Sequence, residues 1–387
     1  MKKFPLLLII GFLLAIQPTR AQRYLGGDIS LWPSYEQAGT VYCDPNGRPT
    51  PLFTLCRQAG WNTMRVRLFV DPSMAPQENK GEGVCQSLPY VIDLCRQVKK
   101  AGFRLLLDLH YSDTWADPSK QIIPTRWQQA LKEHPLADSA LLLRDSVEGY
   151  TTYVLQTLKK QNISPDLIQV GNEITFGMLW PTGRVALSKA DNWDTLASLL
   201  QAGCKACRKV CPKAKIIIHT EHAYDTAATL YYYDQLRVHD VDYDIIGLSY
   251  YPMWHKDITT LGRSLSLLAR QEPGKPVMIV ETAFYYAHKN DKWEPDSTHY
   301  ANLYPISAEG QRQFTHELVA ELNRHPNVTG LFWWFPEENE SGKPVITSWI
   351  NRGLFDNQSG RALPALQEMK AFRKAVTTFA PSSKENF

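Results

Sequence analysis

The stretch Leu167-Ile-Gln-Val-Gly-Asn-Glu173 is an apolar run that stops at an amide and a carboxylate, and Val277-Met-Ile-Val-Glu281 ends in the same manner. A run apolar at successive positions is a strand buried on both faces, as in a parallel sheet. Polar residues at the carboxyl ends of such strands are where these folds keep their chemistry. Asn172, Glu173 and Glu281 are therefore candidate reacting groups. The same reasoning adds Asp28, Arg65 or Arg67, Asp108 and His110, His219 and Glu221, Tyr250, and Trp333 with Trp334. A pair of carboxylates suits cleavage of a glycosidic bond, which needs one acid to protonate the leaving oxygen and one carboxylate to attack or to activate water. Sugar rings have apolar faces that stack on indole. Of the eleven tryptophans, Trp32, Trp115, Trp180, Trp254, Trp293, Trp333, Trp334 and Trp349 fall in or near strand-end loops.

The elements that must position these groups can be read in order. Gly26 to Leu31 is a short strand, Leu52 to Gly60 a helix closed by glycine, and Asn62 to Phe69 a strand whose alternation puts Arg65 and Arg67 on one face. Leu88 to Gly102 has helical apolar spacing, a Lys99-Lys100 end and a glycine stop, and Phe103 to His110 is the next strand. Helices over 138–161, 192–211, 226–238, 257–271 and 309–324 then alternate with strands over 167–172, 215–220, 243–250, 276–281 and 328–334. Eight strands separated by helices predict an α/β fold, a single-domain (β/α)8 TIM barrel. An open doubly wound sheet is the alternative, but no Gly-rich phosphate-binding turn follows the first strand.

Residues 1–21 run from Lys2-Lys3 through the apolar Phe4–Ile16 to a polar end at Ala21, the order of a secretory signal peptide. The apolar run is shorter than the roughly 20 residues that span a bilayer, so no stable membrane anchor is expected and the protein is read as exported. The domain then occupies residues 22–387, with a frayed tail after about 378. The formal charge of +3 includes Lys2, Lys3 and Arg20, so without the leader it falls to zero. A neutral chain has no global field for gathering nucleic acid, and none is expected as a partner. All seven cysteines lie beyond the leader. Cys204, Cys207 and Cys211 share one face of a predicted helix but lack a fourth ligand for structural zinc, so they read as packing thiols, with disulfide pairing open. His110, His219, Glu221 and His222 do not have the helical spacing of a zinc hydrolase, and no metal is assigned to the site.

With those residues in view, the chain resembles a known family. Asn172-Glu173 and Glu281 look like the catalytic arrangement of clan A retaining glycosidases. More narrowly, His110-Tyr-Ser-Asp-Thr-Trp-Ala-Asp-Pro-Ser-Lys-Gln121 is similar to a long signature of glycoside hydrolase family 53, the endo-β-1,4-galactanases. Further similar segments are Gly27 to Ser30, Asn62 to Pro72, Gln169 to Glu173, Asp244 to Pro252, Val280 to Ala283, and Gly353 to Asp356 with Arg361 to Pro364.

The resemblance implies a retaining endo-galactanase acting on galactan, the neutral side chains of pectin, with Glu173 as acid/base and Glu281 as nucleophile. Substrate contacts are expected from Asp28, Arg65, Arg67, His110, Trp115, Asn172, Tyr250 and Trp334. A cation such as Arg65 or Arg67 should lower the pKa of Glu281, Asn172 should hold the sugar 2-hydroxyl, and Tyr250 should orient Glu281. The chain is expected to work as a monomer and to require no cofactor. Some bacterial relatives carry calcium in the loop after strand seven; here Phe284 to Ser307 offers Asp291, Asp296 and Asn302 in a different order. The connection Phe335 to Trp349 is shorter than in those relatives, and these loops shape the distal subsites. The rivals are another clan A β-glycanase, such as a β-mannanase or cellulase, and a glycan-binding barrel without catalysis.

Overall fold

The computed structural model describes residues 23–134, 138–189, 191–288 and 303–373. The leader at 1–21, the tail after 378, Trp293 and the three candidate calcium ligands Asp291, Asp296 and Asn302 lie outside the described residues. Eight parallel strands close into a barrel in sequential order: β1 (Tyr24–Asp28), β2 (Thr63–Leu68), β3 (Arg104–Leu109), β4 (Leu167–Val170), β5 (Lys215–Thr220), β6 (Ile245–Tyr250), β7 (Val277–Thr282) and β8 (Val328–Trp334), with β8 pairing back onto β1. The (β/α)8 expectation therefore holds, with strand starts within about three residues of those read from the sequence.

Local chemistry explains the helices. Leu88–Lys100 carries Pro89 in its first turn, buries Val91, Leu94, Cys95 and Val98 at one-face spacing, and ends in Lys99-Lys100, which favour the helix C-terminus. Ser139–Lys160 starts at Asp138, whose carboxylate accepts from the amides of Ala140 and Leu141. Cys204 and Cys207 are buried within Trp193–Val210, Cys211 is half-buried at its C-cap, and all seven cysteines are free thiols. The sequence reading missed helices Trp32–Gln37 and Thr125–Glu133 and a two-residue hairpin joining Gly177–Met178 to Gly183–Arg184. Among the described residues no helix is long and apolar enough to cross a membrane.

The barrel interior is layered. A separate apolar plug of Leu106, Leu167, Ile217, Met278, Val280 and Phe332 fills its lower part. One step up the same inward rows, two residues on because strand side chains alternate, Asp108 follows Leu106 on β3, Gln169 follows Leu167 on β4 and His219 follows Ile217 on β5. The register aligns Asp28 with both Arg65 and Trp334, Arg67 with Asp108, Asp108 with Gln169, and Ser249 with Glu281. Polar groups from seven strands, with Trp334 from the eighth, are thus brought together above an apolar floor.

Candidate active site

Glu281 belongs to β7, where a register irregularity against β6 brings it opposite Ser249. Its Oε1 lies 2.8 Å from Arg65 Nη2, and its Oε2 accepts from the Tyr251 hydroxyl at 2.9 Å. Arg65 is shared. Its guanidinium also pairs with Asp28 at 2.8 Å and Asp108 at 2.9 Å, and donates to Asn172 Oδ1 at 2.8 Å. Arg67 pairs with the other oxygen of Asp28 at 2.9 Å and lies under the Trp115 ring, 4.7 Å from its centroid.

Glu173 lies past the end of β4 in a turn where Gly171 has φ of 84° and Glu173 itself φ of 47°. Left-handed backbone is disfavoured for a residue with a Cβ, so the surrounding contacts must hold it there. Gln121 does part of this, donating to the carbonyls of Asn172 at 2.9 Å and Glu173 at 3.3 Å. The Glu173 carboxylate accepts from Ser249 Oγ at 2.6 Å, and Ser249 meets His219 Nε2 at 2.8 Å. His219 Nδ1 faces the Gln169 amide at 3.0 Å, Asn172 Oδ1 at 3.1 Å and the Glu173 backbone N–H at 3.4 Å. Asn172 Oδ1 already accepts from Arg65 and Gln169, and the backbone N–H can only donate, so Nδ1 is an acceptor.

Electrostatics separate the two carboxyls. Burial pushes Glu173 well above the ordinary carboxylic range, and the negative charges of Glu281 and Glu221 push it further; only the Ser249 bond opposes this. Burial also raises Glu281, but the Arg65 charge and the Tyr251 bond act against it while Asp108 adds to it. A cation was expected to bring Glu281 below its usual value. Burial outweighs the one guanidinium, which Asp28 and Asp108 also draw on, so the net direction is upward, though less than for Glu173. Burial, with Arg65 and His110 nearby, drives His219 well below the usual imidazole value, so its ring is neutral.

Of the residues named from the sequence, Glu173, Glu281, Asn172, His110, Trp115 and Trp334 line one cleft of about 470 Å³ at the carboxyl ends of the strands. Asp28, Arg65 and Arg67 do not line it: all three are fully buried beneath it, where they set charge and orientation. Tyr250 is a second correction. Strand alternation turns it outward, where it stacks on Phe314 with ring centroids 6.3 Å apart and donates to the Lys256 carbonyl; its neighbour Tyr251 reaches Glu281 instead. Trp333 also faces outward, and its Nε1 donates to the Arg352 carbonyl at 2.8 Å. His110 donates from Nε2 to Asp108 at 2.9 Å and accepts the Ala116 amide at Nδ1. Asn172 gives one amide N–H to the Ala116 carbonyl at 2.8 Å.

Sequence reasoning missed Ser249, Tyr251, Gln169, Gln121 and Arg352. For Ser249 and Tyr251 the signal was present, since a period of two from Gly247 puts both on the inward face. Among the described residues no group of three or more His, Cys, Asp or Glu is placed to hold a metal ion.

A closed (β/α)8 barrel with two buried carboxyls, one of them cation-paired, in one aromatic cleft is the arrangement of a glycoside hydrolase. Residues 24–369 match the glycosyl hydrolase family 53 profile, and the chain belongs to that family. It is 32% identical over 321 residues to a probable arabinogalactan endo-beta-1,4-galactanase A of Neosartorya fischeri, covering 81% of this chain and 83% of that one. Arabinogalactan endo-beta-1,4-galactanase A of Aspergillus niger is 31% identical, with 86% and 89% covered. Among solved structures, the Ignisphaera aggregans family 53 catalytic domain superposes with a TM-score of 0.78 at 31% identity, covering 92% of this chain and 98% of that one.

Proposed function

We propose that this protein is an exported, retaining endo-β-1,4-galactanase that cuts galactan and the side chains of type I arabinogalactan. The family match over residues 24–369 carries this reading, and the arabinogalactanase relatives supply the substrate class. Export rests on the leader-like order of residues 1–21.

In the proposed mechanism Glu281 is the nucleophile and Glu173 the acid/base. When two coupled carboxyls share one proton it resides on the more basic partner, and the surroundings make that Glu173. Glu173 protonates the leaving oxygen as Glu281 attacks the anomeric carbon. Esterification removes the charge on Glu281, which lowers the cost of ionising Glu173; Glu173 then takes a proton from the incoming water. Two guanidiniums set against Asp28, Asp108 and Glu281 leave one formal negative charge beneath the sugar, matched to the positive charge that develops on it.

Ser249 and His219 serve the change of state at Glu173. With Nδ1 accepting, His219 carries its proton on Nε2 and donates to Ser249, whose hydroxyl then donates to ionised Glu173. When Glu173 is protonated, the Ser249 oxygen can accept instead. Asn172, held by Arg65 and Ala116, is assigned to the sugar 2-hydroxyl, and Trp115 and Trp334 to the sugar faces.

The test is a time course of products, with reducing-end detection, on galactan, mannan and cellulose. Early release of mid-length β-1,4-galacto-oligosaccharides from galactan is expected. Faster cleavage of mannan or cellulose would overturn the substrate, and galactose as sole early product would overturn the endo mode.

A further inference from the structure

Arg352 lies in the segment that follows β8, and its main chain is fixed from both sides. Its N–H donates to Glu338 Oε2 at 3.2 Å, the Gly353 N–H reaches the same oxygen at 2.9 Å, and its carbonyl accepts the Trp333 indole. Its side chain is 1% exposed, yet it lines the cleft. The guanidinium stacks 4.5 Å from the Trp349 centroid and 4.8 Å from that of Trp334. Among the described residues its Nε, Nη1 and Nη2 have no hydrogen-bond partner.

This is unusual for the molecule and for proteins in general. Buried guanidiniums are normally paired, because desolvating the charge and its donors without compensation is costly. Arg65, in the same barrel, shows the normal case with three carboxylates around it. Stacking on indoles satisfies only the faces of a guanidinium; its N–H bonds lie in the plane and are left unpaired at the edge. A ligand carrying several acceptor oxygens in the cleft would satisfy them.

The aromatic contacts say where. Trp334 meets Trp115 at 6.0 Å on one side and Trp349 at 5.8 Å on the other, and Trp349 meets Trp254 at 6.2 Å. Trp254 is 41% exposed, so the row leads from the catalytic level to the rim. Arg352 stands at the Trp334–Trp349 step, one ring removed from Trp115.

We propose that Arg352 and Trp349 form a sugar subsite for a galactan unit other than the one attacked, with the guanidinium edge donating to that unit's hydroxyl oxygens. The inference rests on the galactanase reading, and the unfilled donors are held ready for substrate rather than for the fold.

The experiment compares wild type, Arg352→Met and Arg352→Lys on galactan, together with Tm measured with and without β-1,4-galactotetraose. Met keeps length and apolar stacking and removes the donors; Lys keeps the charge and loses the planar fork. KM should rise about ten- to hundred-fold in Arg352→Met, as loss of charge-assisted hydrogen bonds implies, with kcat within about twofold, and Lys should recover part of it. Without sugar the Tm of Arg352→Met should equal or exceed that of wild type, while the rise produced by galactotetraose should shrink. A fall in kcat at unchanged KM would place Arg352 with the catalytic pair, and a lower Tm with an undiminished sugar-induced rise would make it structural. Either result, or no change in both readouts, overturns the inference. Wild type that cleaves another glycan in place of galactan would refute the substrate assignment alone, since the same comparison can then be run on that polymer.

Discussion

Glu281 and Glu173 are the same side chain in the same cleft, and they differ in what holds them. Glu281 sits within a strand, with a guanidinium on one oxygen and a phenol on the other. Glu173 sits in a turn with left-handed backbone, and among the described residues its carboxylate takes a single serine hydroxyl. Burial works against ionisation of both. A charge pair about 4 Å apart is worth about 4 kcal/mol at an effective dielectric near 20, or about three pKa units, so one shared guanidinium is enough to decide which carboxyl keeps the proton. The two roles follow from one asymmetry in their surroundings.

The comparison can be broken most severely at Glu173. Glu173→Ala should lower kcat/KM on galactan by about 10²- to 10⁴-fold, the usual contribution of a general acid. On an aryl galactoside with a good leaving group the first step should suffer far less, and the alkaline fall in rate should flatten. An unchanged bell-shaped pH profile would mean that Glu173 is not the group whose proton is lost.

A smaller effect sharpens the same contrast. Activity requires Glu281 ionised and Glu173 protonated, so rate is lost as pH falls through the first pKa and as it rises through the second. Each of Tyr251 and Ser249 donates to the ionised form of its partner and thereby lowers that partner's pKa. Removing either donor raises it. Tyr251→Phe should therefore move the acid limb of kcat/KM to higher pH, and Ser249→Ala the alkaline limb to higher pH, each by about one unit for the loss of a hydrogen bond to a charged group. The first narrows the bell and the second widens it. If both variants move the same limb, the two carboxyls are not separately held.

The legible part of this molecule was the part governed by periodicity and strand ends. Apolar runs gave eight strands and the level at which Asn172, Glu173 and Glu281 meet, because inward alternation and parallel register leave few other arrangements. Direction within a row was harder. Tyr250 and Tyr251 are adjacent and chemically identical, and only the phase of the alternation tells which one faces the barrel. Asp28, Arg65 and Arg67 gather as expected but lie buried beneath the cleft rather than along it, since one sequence cannot show that Trp115 lies over Arg67. Arg352 gave no signal: its isolation depends on which residues happen not to reach it, and that is a property of the folded cleft.

The central claim is that Glu281 carries the sugar between the two halves of the reaction. It is tested most directly by incubating the enzyme with an activated 2-deoxy-2-fluoro-β-galactobioside, which slows release of the covalent intermediate, and mapping the label by peptide mass spectrometry. One label per chain is expected, on the peptide containing Val277–Thr282 and at Glu281. A label on Glu173, or inactivation without any covalent adduct, would contradict it.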